Sequence, residues 1–145
     1  MFLFSVRPYH KNIARSLLKE SKYYLYDTGA VEGDLGAKLE NTVACALLRD
    51  LHLIADTTGS RVALHYLRDK EKHEVDFLPV VDNRPLCMIE VKASEEKFSP
   101  SLFLFRKKLE HLRAFQIVYG LKRKKTKDGV RMLSAHEFLR DFQLG

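Results

Sequence analysis

Residues 74–92 read EVDFLPVVDNRPLCMIEVK, and this stretch decides the fold. Two runs rich in valine, leucine and isoleucine flank Asp82-Asn83-Arg84, the composition of two strands joined by a turn. Directly opposed residues on antiparallel strands point to the same face, and their numbers have a constant sum. A three-residue turn centred on Asn83 sets that sum at 166. Asp76 then lies across from Glu90, Lys92 shares their face two residues on, and Glu74 lies opposite Lys92. A two-residue turn shifts the sum to 167 and sends Asp76 and Glu90 to opposite faces. The chemistry considered below selects the even register.

Outward from this hairpin, RVALHYL (61–67) reads as a third strand. Before it, from about Gly36 to Ile54, Leu39, Val43, Ala46, Leu47 and Leu51 recur at three- and four-residue steps, which predicts an amphipathic helix. Glu40 sits at the margin of that stripe. YYLYD (23–27) reads as a strand or extended piece. Residues 8–20 form a possible short helix, with Ile13, Leu17 and Leu18 on one side, and read as a docking segment. After the hairpin, residues 101–115 place Leu102, Phe105, Leu109 and Leu112 on one helical face, with Arg106, Lys107, Lys108 and Arg113 mostly off it. FQIVYGL and VRML are further strands around a basic RKKTKDG hairpin or loop. Ser134 with Glu137 forms a capping box that opens a last helix to about Phe142. The whole is an α/β domain, a mixed central sheet flanked by helices, with residues 1–22 as an N-terminal docking segment and 23–145 as the domain proper.

Composition narrows the partners. At 145 residues and 46% hydrophobic content the chain suits one domain, and its opening apolar run of four residues is too short for a signal-peptide core or a membrane span. Cys45 and Cys87 sit far apart in apolar strings, which predicts two buried free thiols and a reducing, cytoplasmic setting. Residues 98–145 hold 11 Lys and Arg against 4 Asp and Glu, whereas residues 1–97 hold 14 against 15, so the net charge of +6 is C-terminal. Clustered cations of this kind are the electrostatic footprint of a nucleic-acid binder, and Arg106, Lys107, Lys108, Arg113, Lys122 and Arg123 are the candidate contacts. No glycine precedes Lys-Ser or Lys-Thr, which excludes a phosphate-binding loop, and the six histidines form no close pair of metal-ligand spacing.

Two carboxylates held side by side repel, so both stay ionised at neutral pH only with a cation between them. Mg²⁺, or Mn²⁺ in its place, suits Asp76 and Glu90, being held by one or two carboxylates together with water and substrate phosphate. Lys92 then activates the attacking water or neutralises charge building on phosphorus. Asp76 followed by Glu90-Val91-Lys92 resembles the PD-(D/E)XK motif of the restriction-endonuclease-like nuclease superfamily. That resemblance implies an Asp and a Glu that bind magnesium, a catalytic Lys, and an acidic residue from the preceding helix, the place held by Glu40. More narrowly, YYLYDTGAV, GAKLENTVACALLRDL, LHYLRDKEKHEVDFLPV and MIEVKAS are similar to an uncharacterised C-terminal domain found after the ATPase module of a group of prokaryotic AAA-type ATPases. The resemblance covers roughly residues 5–115, and in it His73 stands where an Arg or Lys is expected.

These readings imply a Mg²⁺-dependent DNA endonuclease. The alternative is a catalytically inactive module of the same fold that binds nucleic acid or a partner protein, including an ATPase module. Glu74 reads as the surface partner of a lysine, Lys92 being one choice, and as a minor ligand candidate. Arg68 and Asp69 read as turn chemistry ahead of phosphate placement. Gln116 resembles the polar residue that some nuclease relatives place near the site.

Overall fold

The computed structural model describes residues 2–10, 20–94 and 97–144. The docking helix expected over 8–20 therefore falls largely outside the described residues. The strands are β1 (Leu3–Pro8), β2 (Lys22–Leu25), β3 (Val62–Arg68), β4 (Glu74–Val81), β5 (Arg84–Pro85), β6 (Cys87–Lys92), β7 (Arg113–Val118), β8 (Lys125–Lys127) and β9 (Val130–Ser134). The helices are α1 (Leu35–Thr58), α2 (Pro100–Lys108) and α3 (Ala135–Asp141), with a short 3-10 turn at Thr28–Ala30. Asp34 starts α1 by accepting the Ala37 amide at 2.9 Å, and Gly59 ends it in the left-handed conformation, φ 75°, that side chains disfavour. Ser134 caps α3 through the Glu137 amide, as its spacing predicts.

One mixed sheet carries all nine strands in the order β2-β1-β3-β4-β6-β7-β9-β8, with β5 on β4. β1 was not legible as a strand in the sequence, yet it joins the sheet antiparallel to β2 and parallel to β3. Leu39, Val43, Ala44, Leu47 and Leu51 of α1 and Phe138 of α3 pack on one face, with Phe77, Ile89, Val91 and Phe115. Leu102 and Phe105 of α2 pack on the other, with Val75, Leu78, Val80 and Met88. The fold is thus an α/β domain with helices on both faces of a mixed sheet.

The central hairpin reaches the even register by a route different from the one expected. Its turn has two residues, Asp82 (φ 49°) and Asn83 (φ 64°), both left-handed as a tight hairpin turn requires. Val81 pairs with Arg84 and Val80 with Pro85, an odd register. The Leu86 amide still reaches the Pro79 carbonyl, but Phe77 then pairs with Ile89, so β6 has gained one residue on β4. That β-bulge, not a longer turn, restores the sum of 166. A second irregularity lies against β3, where His65 pairs with Leu78 but Leu67 with Val75. The extra residue on β4 falls at Asp76–Phe77. As a result Val75 belongs to the α2-side core and Phe77 to the α1-side core, although strict alternation would put both on one face.

The basic helix is shorter than its periodicity predicts. It ends at Lys108, and β7 begins at Arg113 because the segment pairs in parallel with both β6 and β9. Leu112 is buried and so continues the apolar rhythm, but it does so from the lead-in to a strand. Both cysteines are free, Cys87 fully buried and Cys45 only half-buried. Burial pushes the Cys87 thiol up to about 12.

Candidate functional site

Asp76 occupies the place where β4 and β6 part. Ile89 pairs with Phe77, and two residues further along β6 the Val91 amide donates to Asp76 Oδ2 at 2.8 Å. A carboxylate here takes the position that a backbone carbonyl holds in a regular ladder. The bulge beside it leaves Asp76 between the two sheet faces, buried with 8% of its surface exposed. Its carboxyl lies within hydrogen-bonding reach of Glu90 and close to Glu40. Burial, then the hydrogen bond and charge of Glu90, hold Asp76 well above the usual carboxylate range, against the opposing pull of the Val91 amide and Lys22.

Glu40 approaches from the second turn of α1 and accepts a 2.8 Å hydrogen bond from the Tyr24 hydroxyl of β2. Burial and the Asp76 charge raise its carboxyl, while Tyr24 and Lys22 draw it down. Its neighbour Asn41 fixes this geometry. The Asn41 side chain accepts the Leu25 amide and donates to the Leu25 carbonyl, both at 2.8 Å, bolting α1 to β2. Asn41 was missed in the sequence. The signal was a polar residue two steps from Leu39 and Val43, in a helix that needs every buried position to be apolar or paired.

Glu90, buried at 5% exposure, follows Met88 by two residues and so points to the α2 side. Ser99, which precedes α2, donates to Glu90 Oε2 at 3.4 Å. Gln116 stands beside Glu90 in the parallel β6–β7 register and has no exposed surface. Its Oε1 accepts the Ser99 amide at 2.7 Å and its Nε2 donates to the Lys97 carbonyl at 2.9 Å, so it ties the loop before α2 to the site. Lys92 is on the Glu90 side of its strand, half-buried, and makes no ion pair among the described residues. Glu40, Asp76 and Glu90 thus form a line that crosses the sheet from the α1 side to the α2 side. Among the described residues no group of three or more His, Cys, Asp and Glu side chains is drawn together as a metal cage.

The lysine that pairs with Glu74 is Lys22, at 3.5 Å, not Lys92, and Arg68 flanks Glu74 at the same distance. Lys22 also stands 3.9 Å from Asp76 Oδ1 and lies over the Tyr66 ring. Asp69 is turn chemistry as expected: it accepts the Glu71 and His73 amides and meets the His73 ring at 2.8 Å. The six basic candidates do not form one strip. Lys107 and Lys108 are exposed on α2, and Lys122 and Arg123 are exposed between β7 and β8. Arg106 turns inward, donating to the Glu110 carbonyl and lying against Gly129. The Arg113 guanidinium lies 5.6 Å from the Phe115 ring centroid and 5.8 Å from that of Phe142, on the opposite sheet face from α2.

Fold and site together define a mixed α/β domain with a buried carboxylate pair at the split between two central strands. The chain belongs to the family described as Domain of unknown function (DUF4143), whose model matches residues 35–138, from the start of α1 into α3. No curated protein and no solved structure matches it. No helix among the described residues is long and apolar enough to cross a membrane.

Proposed function

We propose that the protein is a Mg²⁺- or Mn²⁺-dependent DNA phosphodiesterase of the PD-(D/E)XK type, with Asp76 and Glu90 as metal ligands, Glu40 completing their shell and Lys92 assisting the chemistry. The observation that carries this reading is the Asp76–Glu90 pair. Asp76 and Glu90 are both buried and adjacent, and a cation between two such carboxyls relieves the repulsion of their charges. Their all-oxygen donor set fits a hard divalent ion, which when bound would supply Lewis-acid stabilisation of a phosphoryl oxygen. The chain's own residues supply the rest. The Val91 amide and Lys22 oppose the burial that raises Asp76, Tyr24 orients Glu40, and Gln116 with Ser99 fixes the loop beside Glu90. Lys92, two residues beyond Glu90 and in no ion pair among the described residues, would hold the attacking water or offset charge on phosphorus. Lys107, Lys108, Lys122 and Arg123 would track the DNA backbone.

The test is incubation of the protein with plasmid and branched DNA in Mg²⁺ or Mn²⁺. Cleavage is expected from the wild type, with a loss of at least about 100-fold in Lys92→Ala and Asp76→Asn. DNA binding without cleavage by the wild type would instead support an inactive module of the same fold, tethered to a partner such as an ATPase module. The observation favouring that second reading is Lys22, whose ammonium already stands against Asp76 and Glu74 as a built-in counter-ion.

A further inference from the structure

A pocket lies on the α1-side face of the sheet, where β7 begins. The parallel β7–β9 register sets Phe115 beside Arg131, and Arg113 shares their face two residues before Phe115. Both guanidiniums lie over the Phe115 ring, at 5.6 Å for Arg113 and 5.7 Å for Arg131, and Arg113 also lies 5.8 Å from the Phe142 ring. They line a cavity of about 300 Å³ with Leu133, Glu137, Asp141 and Phe142, a volume at the lower end for small-molecule sites.

The charges of this pocket do not cancel inside it. Glu137 pairs with Lys124 at 2.5 Å and Asp141 with Arg140 at 2.8 Å. Neither Arg113 nor Arg131 makes an ion pair or side-chain hydrogen bond among the described residues. The ring faces attract both exposed guanidiniums without using their N–H donors, the groups that meet phosphate oxygens in pairs. Two guanidiniums near one ring concentrate positive charge that an anion beside both would offset.

We propose that the Arg113–Arg131 pocket binds a compact phosphomonoester of about nucleoside-monophosphate size. A dianionic phosphate answers two guanidiniums, whereas a lone carboxylate answers one. Glu137 and Asp141, which also line the pocket, disfavour the continuous charge of a polymer backbone, so the pocket favours a terminal or free phosphate over an internal one. It is independent of the carboxylate site. Cys87, the register partner of Arg113, is three residues before Glu90 on β6, about 10 Å along the strand, and Phe115 belongs to the core on the other side of the sheet from Glu90.

The experiment is calorimetric titration of the full chain with inorganic phosphate, adenosine 5′-monophosphate, adenosine, and one short oligonucleotide with and without a 5′-phosphate. Metal is absent throughout, so the outcome does not depend on cleavage. Binding of the monophosphate, none of adenosine, and about tenfold weaker binding in each of Arg113→Gln and Arg131→Gln are expected. Lys70→Gln/Lys72→Gln, which removes equal charge from the exposed turn between β3 and β4, should leave that binding unchanged. Equal affinity for inorganic phosphate and the monophosphate would assign the site to free phosphate, and preference for the 5′-phosphorylated oligonucleotide would assign it to a nucleic-acid end. No binding of either phosphate, or equal losses in the Arg and Lys variants, would overturn the proposal.

Discussion

The Val91 amide donates to Asp76 Oδ2 at 2.8 Å, so a side chain completes the ladder where β4 and β6 separate. This bond holds a carboxyl in a buried place beside two others. The cost of ionising that group should be visible in the stability of the fold.

Burial and Glu90 raise Asp76, and burial and Asp76 raise Glu40, whereas in the unfolded chain both titrate near pH 4. The fold therefore favours their protonated forms. The stability they contribute is complete below about pH 4 and is lost as pH rises through the raised folded values. In chelator, the wild-type melting temperature should fall relative to that of Asp76→Asn between about pH 5 and 8, because the amide keeps an acceptor for Val91 and carries no charge. Parallel melting profiles for the two proteins would remove the pair as a titrating unit.

Lys22 lowers both carboxyls and lies 4.7 Å from the Tyr66 ring centroid. Lys22→Gln should cost about 1 kcal/mol at pH 8 and less at pH 5, because the raised carboxyls take up protons as pH falls. Urea unfolding at the two pH values measures the difference. An equal cost at both would reduce Lys22 to a packing group.

Asn41→Ala removes the partners of the Leu25 amide and carbonyl together. The expected loss is about 1–3 kcal/mol in chemical denaturation, since the Leu25 amide loses its acceptor and the carbonyl keeps only the Cys45 thiol at 3.1 Å. Asn41→Asp keeps an acceptor for the amide but cannot donate to the carbonyl, and should fall between the two. Hydrogen exchange at Leu25 should rise in the same order.

Gln116→Leu preserves burial but abandons the Ser99 amide and the Lys97 carbonyl. About 1–3 kcal/mol of stability should be lost, with faster amide exchange over residues 97–102 and little change in α1. A uniform rise in exchange would instead mean that Gln116 supports the whole sheet.

Much of this fold was legible because its elements are strongly patterned. The apolar spacing of α1, the Ser134–Glu137 cap and the two central strands all lie where the sequence places them, within a residue or a few. β1 was not legible because LFSVRP carries few strand formers and acquires its order from β2 and β3 on either side. The even register was inferred from the needs of the carboxylates, and the residues that produce it were hidden. Asp82-Asn83 alone dictates an odd register, and nothing local in Pro85-Leu86-Cys87 announces a bulge. Lys22 and Asn41 escaped notice for a related reason. Each acts on residues distant in the chain, a relation set by tertiary packing and not by spacing.

Asn41 has one more effect. β2 ends the sheet, and a terminal strand offers its outward peptide groups to any extended chain that passes. At Leu25 those groups are already engaged by the amide of Asn41, with the Cys45 thiol 3.1 Å from the same carbonyl. The side chain that aligns the helix therefore also closes this border of the sheet, and guards neighbouring molecules against edge-to-edge polymerisation.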